Sequence, residues 1–306
     1  MPLLTDDPKA TDQAYINLQK DLSWLEPPDL ARRHVEELYA ETSSILDKKF
    51  VEQCKYDFHS CYAEMYFASV LKSRCGYELT HPSDTGPDFF IPKLNSWVEV
   101  VSLTDGKDGN QNSIPKAISG QVNRYPEDKV ILRMCSAFET KAKKMAKDIE
   151  KGIIRSNEPI IVCISGGGLD ERIPMYPEGG YPQIVKALLP VGDLTLWFSR
   201  ESRELVSREY KYREGINKVT QNGVLKIGTE AFLNYSNTHV SAVMYSWANA
   251  GNPIERKRWG SDFYIIHNPR AINPLPSGFA KCGIEYSVTV KPDSFVLKPA
   301  INHEES

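Results

Sequence analysis

The segment Gly86-Pro87-Asp88-Phe89-Phe90-Ile91-Pro92-Lys93-Leu94-Asn95-Ser96-Trp97-Val98-Glu99-Val100-Val101 decides how this chain is to be read. Two short β-type runs, 88–91 and 97–101, follow one another closely, the pattern of a hairpin. Each run carries an acid. Asp88 opens the first strand directly after Gly86-Pro87, and Glu99 lies mid-strand between valines, where strand propensity disfavours a carboxylate.

Upstream, residues 57–74 read as a helix closed by Cys75-Gly76, with Gly76 suited to the left-handed position after a helix end. Between Asp57 and Glu78 the only acid is Glu64, set among Tyr62, Met65, Tyr66 and Phe67. An unpaired carboxylate in such surroundings is costly, so Glu64 either meets water or a donor at the helix edge, or is aimed at a site. Earlier still, Val35, Leu38, Ile45 and Phe50 recur at near-helical spacing over 29–53, with Asp29 available as N-cap. Residues 1–27 are polar, end in Glu26-Pro27-Pro28 and read as a loosely held arm.

Downstream, a polar loop over 102–125 precedes Pro126-Glu127-Asp128, a helix start whose run ends at Lys151-Gly152. Ile131, Met134, Cys135, Phe138, Ala142, Met145 and Ile149 fall on one arc of that helix, a face that should pack on a sheet, although Val130-Ile131-Leu132 suits a strand equally. Residues 159–165, PIIVCIS, have the apolar continuity of a central strand covered on both faces. After Gly166-Gly167-Gly168 come a short helix at 181–189 and β-type runs near 194–198, 240–246, 262–266 and 284–290. The charged stretch 200–213 is the candidate excursion outside the core. This order predicts an α/β fold: a mixed central β-sheet flanked by helices, with an N-terminal helical arm (1–56) and a domain over 57–306 that ends in a β-rich extension.

Two acids on neighbouring strands, with a third from a helix packed over them, suit a hard divalent cation, because Mg²⁺ takes oxygen ligands and keeps several waters. Glu64 on its helix, Gly86-Pro87-Asp88 at a strand start and Trp97-Val98-Glu99-Val100-Val101 on the next strand resemble the PD-(D/E)XK, or restriction-endonuclease-like, nuclease superfamily, over about a third of the chain. The resemblance implies an αβββαβ core and Mg²⁺, or Mn²⁺ in its place, held by Asp88, Glu99 and the backbone carbonyl of Val100. It also implies that Glu64 assists and that the substrate is a nucleic-acid phosphodiester, DNA ahead of RNA.

The superfamily places a lysine two residues after the strand acid, on the same face of the strand, and here that position is Val101. Some members carry the cation on the following helix. There Lys141 borders the apolar arc, about 75° from its centre, whereas Lys143, Lys144 and Lys147 point away. Lys141 is therefore the expected substitute for the catalytic lysine, with Arg133 in reserve. Val101 equally motivates an alternative, a nuclease-fold protein that has lost catalysis and binds nucleic acid or protein. A third reading is an interaction protein that engages a partner through 200–258.

Composition narrows the classes. Among 306 residues, 37 Lys and Arg against 40 Asp and Glu give a net charge of −3, so no global basic field draws the chain onto polyphosphate and any such contact uses local patches. Basic clusters at 141–151, 200–213 and 255–258, interleaved with Tyr210, Tyr212 and Trp259, are the places for it. Six cysteines without a CxxC pair read as reduced and mostly buried. No basic-then-apolar leader and no apolar run near the ~20 residues of a membrane span is present, which reads as a cytoplasmic protein without a membrane partner, its oligomeric state open and a homodimer included. HExxH, GxSxG and GxxxxGK[ST] patterns are absent, so zincin, serine-hydrolase and P-loop chemistry have no textual support.

Overall fold

The computed structural model describes residues 2–19, 30–82, 86–116, 118, 120, 125–169 and 180–301. The run PIIVCIS becomes strand β3 (Ile160–Ser165), buried along its whole length, because a strand between two layers presents apolar side chains to both. Helix α4 (Phe58–Ser73) ends at Gly76, which adopts φ +67. The quoted hairpin is β1 (Phe89–Ile91) and β2 (Ser96–Ser102), joined through Asn95 in the left-handed conformation (φ 48). Residues 130–132 lie in helix α5 (Glu127–Glu150), not in a strand.

The sheet has seven strands in the order β1-β2-β3-β8-β9-β10-β11, where β8 is Ala242–Ser246, β9 Tyr264–His267, β10 Ile284–Lys291 and β11 Ser294–Ile301. Pairing is mixed: β1 and β2 are antiparallel, β2, β3 and β8 parallel, and β9 runs antiparallel to β8 but parallel to β10. Side chains alternate between the faces. Val98, Val100, Ile161 and Cys163 join the core beneath α4, while Val162, Ile164 and Val243 join the core beneath α5 and α6 (Gln183–Leu188). The result is a mixed sheet flanked by helices, as the sequence order requires. A single antiparallel bridge from Thr80 to Phe90 lies on the outer side of β1.

Two N-terminal expectations are corrected. Residues 2–19 are no loose arm: Leu3, Leu4, Tyr15 and Leu18 are buried in the core beneath α4, and the Glu36 carboxylate accepts the Leu3 and Leu4 N–H groups at 2.9 and 2.8 Å. The segment has few apolar residues but buries all four of these. The single helix read over 29–53 is two, α2 (Leu30–Thr42) and α3 (Phe50–Cys54), separated by a turn in which the Asp47 carboxylate accepts the Lys49 N–H at 2.6 Å. Its proposed N-cap, Asp29, lies outside the described residues.

The stretch 200–213 does leave the core. Strands β4 (Val191–Phe198) and β5 (Leu205–Tyr212) form a separate two-stranded ribbon whose second strand is exposed throughout. A second ribbon, β6 (Gly215–Thr220) with β7 (Gly223–Gly228), follows it. All six cysteines are free and buried. Among the described residues no helix is long and apolar enough to cross a membrane.

Leu3 is fully buried, so Leu3→Ala is expected to lower the unfolding free energy by about 2–4 kcal/mol in urea denaturation. A loss under about 0.5 kcal/mol would return the segment to the status of an arm.

Candidate active site

Register and pleat bring the hairpin acids together. Phe89 pairs with Val98, so one further step sets Asp88 opposite Glu99. Glu99 is in register with Val162 of β3, whose side chain belongs to the α5 side, so the Glu99 carboxylate also points at α5. Asp88 is held at the strand mouth by two bonds. Its Oδ2 accepts the Val100 N–H at 2.6 Å, and its carbonyl lies 2.8 Å from His81 Nδ1. In a β-strand the N–H and C=O of one residue face the same edge, which turns the Val100 carbonyl toward Asp88 as well.

Glu99 is 0 % exposed and doubly paired. Lys141 Nζ lies 2.6 Å from Oε1, and Lys144 Nζ lies 2.6 Å from Oε2 and 2.8 Å from Oε1. Lys144 also reaches the Gly86 carbonyl at 3.4 Å. Lys141 thus stands where the helical angle put it, and Lys144 corrects the expectation that it points away. Three residues on a helix are one turn less 60°, so Lys144 starts only slightly further round the cylinder than Lys141, and its four-carbon stem covers the difference. Both ammonium groups meet the face from which Val101 supplies no cation, and Val101 itself packs against the α5-side core.

Glu64, on α4, feels the charges of this group. Burial raises its carboxyl well above the usual range, with Asp88 next in strength, while Lys141 pulls the other way and Glu99 and Asp57 add to the rise. Burial also lifts Asp88 from 3.8 to about 6, reinforced by Glu99 and opposed by the Val100 N–H and the two lysines. Three carboxyl groups and two ammonium groups therefore share one end of the sheet, and burial there favours the neutral forms of Glu64 and Asp88. The donors are all oxygens, which suits a hard divalent cation. Among the described residues no three His, Cys, Asp or Glu side chains approach closely enough to wrap an ion by themselves. One or two carboxylates and retained waters is the arrangement magnesium takes, so the group fits that ion, with Asp88 central. Glu99 joins only by loosening Lys144, the more exposed of its two partners at 39 % against 23 %.

The other sequence candidates have structural duties. Arg133 donates to the Thr104 carbonyl and hydroxyl at 2.8 and 2.9 Å, away from the acids, and so is no substitute for Lys141. A Cβ on Gly167 would lie 2.3 Å from the Ala248 carbonyl, and one on Gly168 2.3 Å from the Leu103 carbonyl, so that turn is glycine because backbones cross closely there. Trp259 is buried at 1 % exposure and offers no stacking surface, whereas Tyr210 and Tyr212 are exposed.

Asp88→Asn keeps an oxygen for the Val100 N–H but carries no charge. The carboxyl pKa is raised on folding, so the native state holds the proton more tightly and stability falls as pH rises from 3.8 through about 6. In EDTA at pH 8 the variant is expected to gain about 1–2 kcal/mol in urea denaturation, after discounting for the solvent that still reaches the group; a loss counts against a strained carboxylate. For the lysines, Lys141→Ala with Lys144→Ala strands Glu99 without a partner and is expected to cost about 3 kcal/mol or more. Each single change should cost much less than half of that, because one ammonium still pairs with Glu99; additive single losses in the same assay would contradict the shared role. Comparison of the chain with protein-family models, with curated proteins and with solved structures finds no match.

Proposed function

We propose that this protein is a metal-dependent nuclease that hydrolyses phosphodiester bonds of nucleic acid, DNA ahead of RNA. One observation carries the reading: Glu64, Asp88 and Glu99, from three elements, converge on one end of the sheet with Lys141 and Lys144 against them. Burial, with repulsion between the neighbouring carboxyl groups second to it, raises the pKa values of Asp88 and Glu64. Such a concentration of unfavourable charge marks a site kept for chemistry and not for stability.

In this reading Asp88, Glu99 and the Val100 carbonyl hold the cation, and Glu64 supports it from the helix side. A bound Mg²⁺ or Mn²⁺ supplies Lewis-acid stabilisation of phosphoryl charge and lowers the pKa of an attacking water. Lys141, positioned by its bond to Glu99, would donate to the non-bridging phosphate oxygens, which carry the negative charge of the transition state. Lys144 neutralises Glu99, and released from it would be within reach of the substrate backbone. The N–H of Val100 keeps Asp88 in the orientation this needs.

A second reading has its own observation. Both oxygens of Glu99 are occupied by lysines, so the same cluster could be a neutralised remnant in a nucleic-acid-binding protein without turnover. Incubating the purified chain with plasmid DNA, or with RNA, and Mg²⁺ or Mn²⁺ separates the two. Cutting is expected, and Asp88→Ala or Glu99→Ala should slow it at least about 100-fold with the fold intact. Cutting that survives both changes overturns the assignment, and nucleic acid that is bound but recovered whole supports the remnant.

A further inference from the structure

Beyond β2 the chain runs through a loop, residues 103–116, and between this loop, α5 and β6 lies a cavity of about 560 Å³. Lys107 of the loop, Arg133 of α5 and Lys218 of β6 line it together with Asn110, Ser113 and Ser136, and no lining side chain is acidic. Asp108 of the same loop is drawn to Lys116 at 3.3 Å. In a chain with a net charge of −3, three cations from three elements, beside hydroxyls, amides and the apolar Leu132, single this cavity out as a place for an anion.

Its walls are built in advance. Asn112 behaves as a strand partner to β6: its amide group donates to the Val219 carbonyl at 2.7 Å and its carbonyl accepts the Val219 N–H at 2.9 Å. The two bonds from Arg133 to Thr104 fix the guanidinium plane. Gly106 sits at φ +100, and a Cβ there would lie 2.5 Å from Ser113 Oγ, so the turn that shapes the loop admits only glycine. A cation held by a fixed wall loses little freedom on binding, which is what a preformed phosphate site requires.

Arg133 and Lys144 lie on one stripe of α5, three helical turns apart, which puts the cavity about 16 Å along the helix from the carboxylate cluster. At about 3.4 Å per nucleotide along one strand, that is a separation of about five nucleotides. The geometry points to a backbone subsite: the cavity binds phosphates of a nucleic-acid strand whose scissile bond lies at Asp88 and Glu99, an inference that takes its ligand from the nuclease reading above. Arg133 then has a role other than the one the sequence suggested, gripping substrate upstream or downstream of the cut.

The test is anisotropy of a labelled single strand of about 12 nucleotides, measured in EDTA so that binding is read without cutting. The full chain is compared with Lys107→Ala/Lys218→Ala, and with Lys107→Gln/Lys218→Gln should the first pair fail to fold. The affinity of the double variant is expected to fall at least tenfold in dilute salt, and the slope of log K against log salt to become shallower by about 1.4, ~0.7 for each phosphate lost. Unchanged affinity and slope overturn the subsite. The two readings fail separately. If the wild-type chain cuts while the lysine pair binds normally, only the subsite is lost; if no chain cuts but the lysine pair binds weakly, the subsite stands and the nuclease reading is lost.

Discussion

A fully buried carboxylate, Glu99, anchors this molecule's account of itself. Removing that group from water is expensive by several kcal/mol, and the fold recovers the loss only by bringing two ammonium groups from α5 onto its two oxygens. That requirement fixes how α5 lies over β2, and with it the wall against which Asp88 and Glu64 face one another. The lysines serve a second purpose in the same act. Without their positive charge, Asp88 and Glu64 would sit beside a bare third carboxylate, and their protons would be held more tightly still.

Such an arrangement is poor engineering for stability, since apolar residues of similar size at buried ionic positions are often neutral or better. It makes sense where the charges are the point. Three acids at the mouth of a sheet, with two lysines paired to Glu99, form the electrostatic arrangement that we propose a divalent ion completes. The cavity along α5 extends the same logic outward: acids where a cation is wanted, and cations alone where a phosphate backbone would lie.

Much of this was legible in the sequence because it is local. The continuous apolar run at 160–164 could only be a strand covered twice, Gly76 marked the end of α4, and the single acid among the aromatics of that helix stood out for lack of any nearby partner. Strand alternation set Asp88 and Glu99 on one face, whereas Glu64 and Lys141 were joined to them by the resemblance to a nuclease superfamily together with the helical angle of Lys141. What escaped was governed by reach and by distant partners. Lys144 was dismissed on the direction of its Cα, although a long side chain can cross 60° of helix surface. Leu3 and Leu4 looked like a tail because nothing nearby in the chain shows that Glu36 and the core will receive them. Strand β11 escaped because Pro299 interrupts its pattern, which an edge strand tolerates since its outer N–H groups pair with nothing.

The central claim is that these acids form a site poised for a divalent cation, and calorimetric titration of the metal-free protein with Mn²⁺ near pH 6 tests it most directly. The account predicts uptake of one ion per chain with release of protons, because Asp88 is partly protonated there until the ion displaces its proton, and no such uptake by Asp88→Asn. Stoichiometric binding that persists in the variant, or none by the wild-type chain, would contradict it.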